Sequence, residues 1–162
     1  MVTINLAYTA PINPAGASPT LTPAQVWAGL QRKVRAAHEF VPLISACSVL
    51  AESSEKGGNH TVTREVVFKS QPEKPVREEC VHYAPCRVDF RQEDGSTISN
   101  VVSRDGQGEL MMTYVFEWRH PGVEEGSEEG EKLREGHWKT AKMAVEGSIN
   151  TIRRLVKDGE IQ

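Results

Sequence analysis

From Leu110 to His120 every second residue is large and mostly apolar: Leu110, Met112, Tyr114, Phe116, Trp118 and His120. The residues between them, Met111, Thr113, Val115, Glu117 and Arg119, are smaller or charged. Alternation of period two predicts a β-strand with one covered face. The same period recurs upstream. Val2, Ile4 and Leu6 alternate with Thr3, Asn5 and Ala7, which predicts a strand over 2–8. In TVTREVVFK, Val62, Val66 and Phe68 share a parity with Arg64. Further strands are expected at 48–51, 76–83, 86–92 and 97–103, with turns at Gly57-Gly58-Asn59, Pro72–Pro75, Asp94-Gly95 and 104–108. Asp-Gly tolerates the positive φ that a tight hairpin needs.

Two stretches carry the helical period instead. Thr22, Pro23 and Gln25 form an N-cap signature, and Val26, Trp27, Leu30 and Val34 recur behind it at helical spacing. Gln31, Arg32, Lys33 and Arg35 are assigned to the opposite, solvated face. Pro42 interrupts the pattern, so two helices are expected, one to about His38 and a short one over 41–46. After the acidic loop GVEEGSEEGE, the positions Trp138, Ala141, Val145, Ile149, Ile152 and Val156 predict a long C-terminal helix, with Gly159 as its stop. A strand, two short helices, a hairpin-connected meander and one long helix make an α+β protein. Its antiparallel sheet needs one face covered, and only the last helix is long enough to do so.

This order is that of the Bet v 1-like, START/SRPBCC helix-grip fold, in which a curved antiparallel sheet of about seven strands wraps around the C-terminal helix. The segments GELMMTYVFEWRHP and AKMAVEGSINTIRRLVKDGEI, with TREVVF and GSTISNVVS, resemble the fungal DUF1857, or AtaL-like, family. The resemblance spans nearly the whole chain and implies one domain over 1–162. It also implies a cavity between sheet and helix that holds a small hydrophobic molecule, aromatic or polyketide-like. The alternative is a cofactor-independent cyclase or dehydratase of secondary metabolism working in the same cavity.

Composition narrows the partners. A formal net charge of −3 gives no basic excess for a phosphate backbone, so no nucleic acid is expected. No run of ~18 apolar residues is present, so no membrane insertion is expected. The N-terminus lacks the basic and apolar regions of a secretion signal, which points to the cytoplasm. Cys47, Cys80 and Cys86 are odd in number and fit no zinc spacing, so they are expected to be structural thiols. The five histidines show no ligand spacing, so neither metal nor cofactor is implied. A homodimer is left open.

The expected ligand-binding set follows from the strand faces. Met112, Tyr114, Phe116 and Trp118 come from the last strand, and Trp138 from the long helix. Arg64 shares an inward parity, where a guanidinium needs either a carboxylate such as Glu78, Glu79 or Glu117, or an anionic ligand. Asn100, between Ile98 and Val102, would bond a ligand carbonyl or a neighbouring backbone group. His82, with Tyr83 on a strand, and His137, beside Trp138 on the long helix, are the candidate acid–base groups, with no catalytic residue assigned.

Overall fold

The computed structural model describes residues 1–54 and 58–162. Among these, seven strands form one antiparallel sheet: β1 (Val2–Pro11), β2 (Ile44–Ser53), β3 (Thr61–Phe68), β4 (Val76–Tyr83), β5 (Arg87–Gln92), β6 (Thr97–Arg104) and β7 (Leu110–His120). Their spatial order is β1-β7-β6-β5-β4-β3-β2. All strands after the first therefore follow a simple meander, and β1 closes the far edge beside β7. Helix α1 (Pro23–Arg35) and a 3-10 turn (Ala37–Glu39) carry the chain from one edge to the other, and helix α2 (Glu128–Lys157) follows β7.

Local chemistry sets the helix ends. The Thr22 hydroxyl accepts from the Gln25 amide and the Gln25 side chain accepts from the Thr22 amide, a complete capping box. Ser127 caps α2, and Glu128, Glu129 and Glu131 occupy its first turn, where the helix dipole favours negative charge. The last four of the ten residues of GVEEGSEEGE, expected to be loop, are thus the start of α2. At the other end Gly159, with φ of 76°, donates to the Val156 carbonyl and Glu160 donates to that of Leu155. This pattern satisfies the last carbonyls, and buried Ile161 seals it against the core.

The second short helix expected over 41–46 does not form. The 3-10 turn lies earlier, and Ile44 already opens β2, paired with Phe68. Pro42 lacks the amide a helix would use, and a neighbouring strand offers the chain that follows an immediate partner. The Gly57-Gly58-Asn59 turn falls partly outside the described residues, because residue 57 is among those not described. The expected stripe on α2 is rotated at both ends. Ala141, Val145, Ser148, Ile149, Ile152 and Leu155 are buried, whereas Trp138 is 48% exposed and Val156 only partly covered. His137 takes the inward place instead, and Trp138 follows about 100° further round the helix.

Helices α1 and α2 touch at Gly29. A Cβ there would lie 2.4 Å from Ile152 Cγ1 and 2.6 Å from its Cδ1. Ile152 is itself fully buried, so it has little room to yield. Gly29→Ala is expected to destabilise the protein by ~1–3 kcal/mol in denaturant unfolding. That penalty should vanish in an Ile152→Ala background; a penalty that persists there would place its origin elsewhere.

Candidate functional site

The concave face of the sheet, the segment from Ala37 to Ile44 and the inner face of α2 enclose a cavity of about 310 Å³. Such a volume suits a small organic molecule. One end is apolar and aromatic, and the other is polar. Phe90, Ile98, Phe116 and Trp118 line the wall from the sheet, and His137, Thr140 and Ala144 line it from α2. Phe90 pairs with Ile98, and Ile98 with Phe116, so this wall is one row of side chains across three strands.

The polar end is also a row. Register places Arg64 opposite Glu78 and Glu78 opposite Gln92. Arg64 donates to Glu78 Oε2 from Nη2 at 2.6 Å and from Nε at 2.8 Å, and Gln92 donates to Glu78 Oε1 at 2.9 Å. Arg64 Nη1 donates to the carbonyls of Lys33 and Val34, both at 2.9 Å. Those carbonyls belong to the last turn of α1, where helical carbonyls run out of amide partners and the dipole is negative. Arg64 and Glu78 are 4% and 3% exposed, so neither charge is solvated. The pair is buried and internally satisfied, which resolves the two partners open to Arg64 in favour of the carboxylate.

Lys33 stands beside this row and is 6% exposed. Its Nζ donates to the Tyr114 hydroxyl at 3.1 Å and lies 4.3 Å from the centroid of the Tyr114 ring. No carboxylate among the described residues forms an ion pair with it, since Arg64 and Gln92 hold Glu78. Burial and the neighbouring Arg64 charge push its amine down to about 7. Burial raises the Tyr114 phenol above its ordinary value, with the nearby Ser148 hydroxyl opposing that rise. Ser148 Oγ is buried and has no hydrogen-bond partner among the described residues; the same holds for both polar atoms of the Asn100 amide. Asn100 and Tyr114 are cross-strand partners.

The aromatic end continues as a stack. Phe116 and Trp118 have centroids 4.4 Å apart, Trp118 and His137 are 3.9 Å apart, and His137 and His120 are 5.1 Å apart. The two histidine Nε2 atoms are 2.8 Å apart, so one carries a proton and the other accepts it. Burial, aided by His120, pushes His137 down to about 4.

The structure brings together Arg64, Tyr114, Phe116 and Trp118 of the expected set, all lining the cavity. Met112 and Asn100 are fully buried, and neither lines the cavity. His82 lies outside the cavity: it stacks on His60, meets Trp27 edge-on and bonds the His60 carbonyl through Nδ1. Trp138 is on the outer side of α2 and does not line the cavity. Lys33 lines it and was absent from the expected set; His137, an acid–base candidate outside the ligand-binding set, lines it too. Lys33 had been placed on the solvated face of α1, yet it falls three residues after Leu30 and seven after Val26, which is the apolar face.

Two variants separate the roles of the buried charges. Arg64→Met leaves Glu78 buried without its partner and is expected to cost ~3–5 kcal/mol of stability, measured in urea. A neutral effect would mean that water already screens the pair. Lys33→Met should act in the opposite direction. The folded pKa of Lys33 lies below its unfolded value, so unfolding takes up a proton between pH ~7 and ~10.5 and stability rises with pH through that window. The variant is therefore expected to be more stable than the parent by ~1–3 kcal/mol at pH 7 and below. The difference should shrink as pH approaches ~10; equal stability at pH 7 would show the amine to be solvated.

Comparison with known proteins places this architecture. Among solved structures, an aromatase/cyclase from Streptomyces sp. R1128 superposes with a TM-score of 0.60 at 14% identity, with 96% of each chain covered. A START superfamily protein from Mycobacterium smegmatis gives 0.61 at 9% identity, covering 94% of this chain and 98% of that one. The di-domain aromatase/cyclase BexL of the BE-7585A biosynthetic pathway gives 0.60 at 12% identity; the match covers 94% of this chain but only 49% of BexL, so the chain spans about half its length. These likenesses establish the START/Bet v 1-like helix-grip fold. In sequence, the acetylaranotin biosynthesis cluster protein L of Aspergillus terreus is 28% identical over 160 residues, covering 99% of this chain and 94% of that protein. The model of the family described as AtaL, acetylaranotin biosynthesis cluster protein L, matches residues 6–159, and the chain belongs to that family.

Proposed function

We propose that the protein binds a small hydrophobic molecule, aromatic or polyketide-like, in the cavity between the sheet and α2. The observation that carries this reading is the division of the cavity. A flat apolar body would pack against Phe90, Phe116 and Trp118, while an oxygen substituent would face Lys33 and Tyr114. Arg64 is not the anchor in this reading, because four of its five N–H donors are already used. Lys33 uses one of three. The similarity to aromatase/cyclases and to a secondary-metabolism cluster protein supports the same ligand class.

A second reading is a cofactor-independent cyclase or dehydratase acting in that cavity. It is favoured by one observation: Tyr114 and His137, both able to exchange protons, line the same chamber. His82 gives it no support from outside the cavity.

Ala144 lines the cavity from α2, and a larger side chain there would occupy the ligand's place. The parent protein is expected to bind 1-anilinonaphthalene-8-sulfonate at one site, and Ala144→Phe to weaken that binding at least ~10-fold with an unchanged unfolding midpoint. Undiminished binding in a folded Ala144→Phe variant would sink the reading. Native mass spectrometry of the protein from its own host should show a retained small molecule.

A further inference from the structure

Lys33 is the least explained group in the cavity. Its ammonium has three N–H donors, and only the Tyr114 hydroxyl takes one among the described residues. The nearest carboxylate, Glu78, is bound by Arg64 and Gln92. Nothing in the core requires an amine at this point, because the sheet and α1 are already tied together through Arg64. Burial and the adjacent Arg64 guanidinium suppress its charge, against the opposing pull of Glu78 and of the Phe90 and Tyr114 ring faces. The neutral fraction of a lysine whose Nζ stands on a cavity wall is a nucleophile.

We propose that Lys33 captures a carbonyl-bearing apolar molecule in this cavity as a reversible Schiff base, with the Tyr114 hydroxyl as the proton relay. The proposal rests on the ligand-binding reading and names the functional group recognised. The lone pair of the neutral Nζ attacks the carbonyl carbon, a C–N bond forms, and the C=O π pair moves onto oxygen. One Nζ proton passes through the Tyr114 hydroxyl to that oxygen. The second follows as the C–O bond breaks, so the oxygen leaves as water and a C=N bond remains. Carbonyl plus amine gives imine plus water, with no change of oxidation state. Hydrolysis reverses it.

The relay has the geometry the step needs. Tyr114 Oη is 3.1 Å from Nζ, within proton-transfer reach. Burial holds the phenol in its protonated form, so it gives and regains a proton without resting as an anion. The sheet wall seats the body of the ligand: Phe90, Phe116 and Trp118 lie in the same chamber as Nζ.

The test uses 2-naphthaldehyde with sodium cyanoborohydride on the intact protein at neutral pH, read by intact mass and peptide mapping. The expected result is one naphthylmethyl group on Lys33, formed at least ~10-fold faster than on exposed lysines. 2-Ethylnaphthalene, which fits the same wall but has no carbonyl, should compete the label away. Tyr114→Phe should slow the labelling of Lys33 relative to the exposed lysines of the same sample. Label confined to exposed lysines, with 2-ethylnaphthalene still bound, would overturn the Schiff base and leave the binding reading intact. Failure of both 2-ethylnaphthalene binding and Lys33 labelling would overturn both readings. Lys33→Met adds a control, but peptide mapping of the unaltered chain decides the matter even if that variant fails to fold.

Discussion

The ion pair between Arg64 and Glu78 ties the sheet to the end of α1, and the polar half of the cavity depends on it. A guanidinium at this depth would be costly with one carboxylate alone, since desolvation of both ions opposes their attraction. Here a second negative source is added, the carbonyls of Lys33 and Val34 in the last turn of α1. Glu78 gains Gln92 as a further donor. The result is a closed set of hydrogen bonds that fixes where α1 ends over the sheet. With its carbonyl held by Arg64, Lys33 has its backbone fixed above β3 and its side chain directed toward Tyr114 on β7.

That constraint divides the chamber. Charge balance at the polar end is complete without Lys33, since one cation faces one anion. Adding a protonated lysine would leave a net positive charge in an apolar enclosure, so the amine sheds its proton more readily than a solvated one. At the other end the aromatic stack from Phe116 to His120 links the last strand to α2 through ring contacts. Rings hold the two elements apart at a fixed spacing while presenting their faces to the space between. Helix α2 meets the sheet directly at β1, where Tyr8 donates to Glu146, and through the stack at β7, and the space beyond them stays open.

Most of the fold was legible because its signals are local. The period-two faces of β3 and β7, the Thr22 capping box and the Gly159 stop each specify an element without reference to the rest of the chain. The inward parity of Arg64 was equally visible, and Glu78 was among its named partners. The failures came where tertiary placement decides. The 41–46 segment reads as a short helix, and the pairing of its end with β3 overrides that reading. Trp138 and His137 are neighbours in sequence, and only the position of the sheet determines which turns inward. His82 has the inward parity of β4 but sits at the end of that strand, beyond the cavity, against His60 and Trp27. Lys33 was lost through its chemistry: a lysine is assigned to water by default, although its spacing from Val26 and Leu30 put it on the buried face.

The same default explains why Lys33 carries functional weight. Methionine would fill nearly the same space with no charge to desolvate, and its thioether packs well against Phe90 and Tyr114. As a structural residue Lys33 is thus a poor choice, giving one hydrogen bond to a hydroxyl that has Ser148 nearby as another neighbour. Arg64 and Glu78 are also buried, but each holds elements together, and their desolvation is offset by four hydrogen bonds from Arg64 and a further one from Gln92. Lys33 has no such return. A titratable group kept in a cavity against its own stability, with donors left over and a hydroxyl in proton-transfer reach, is a group arranged for what enters the cavity.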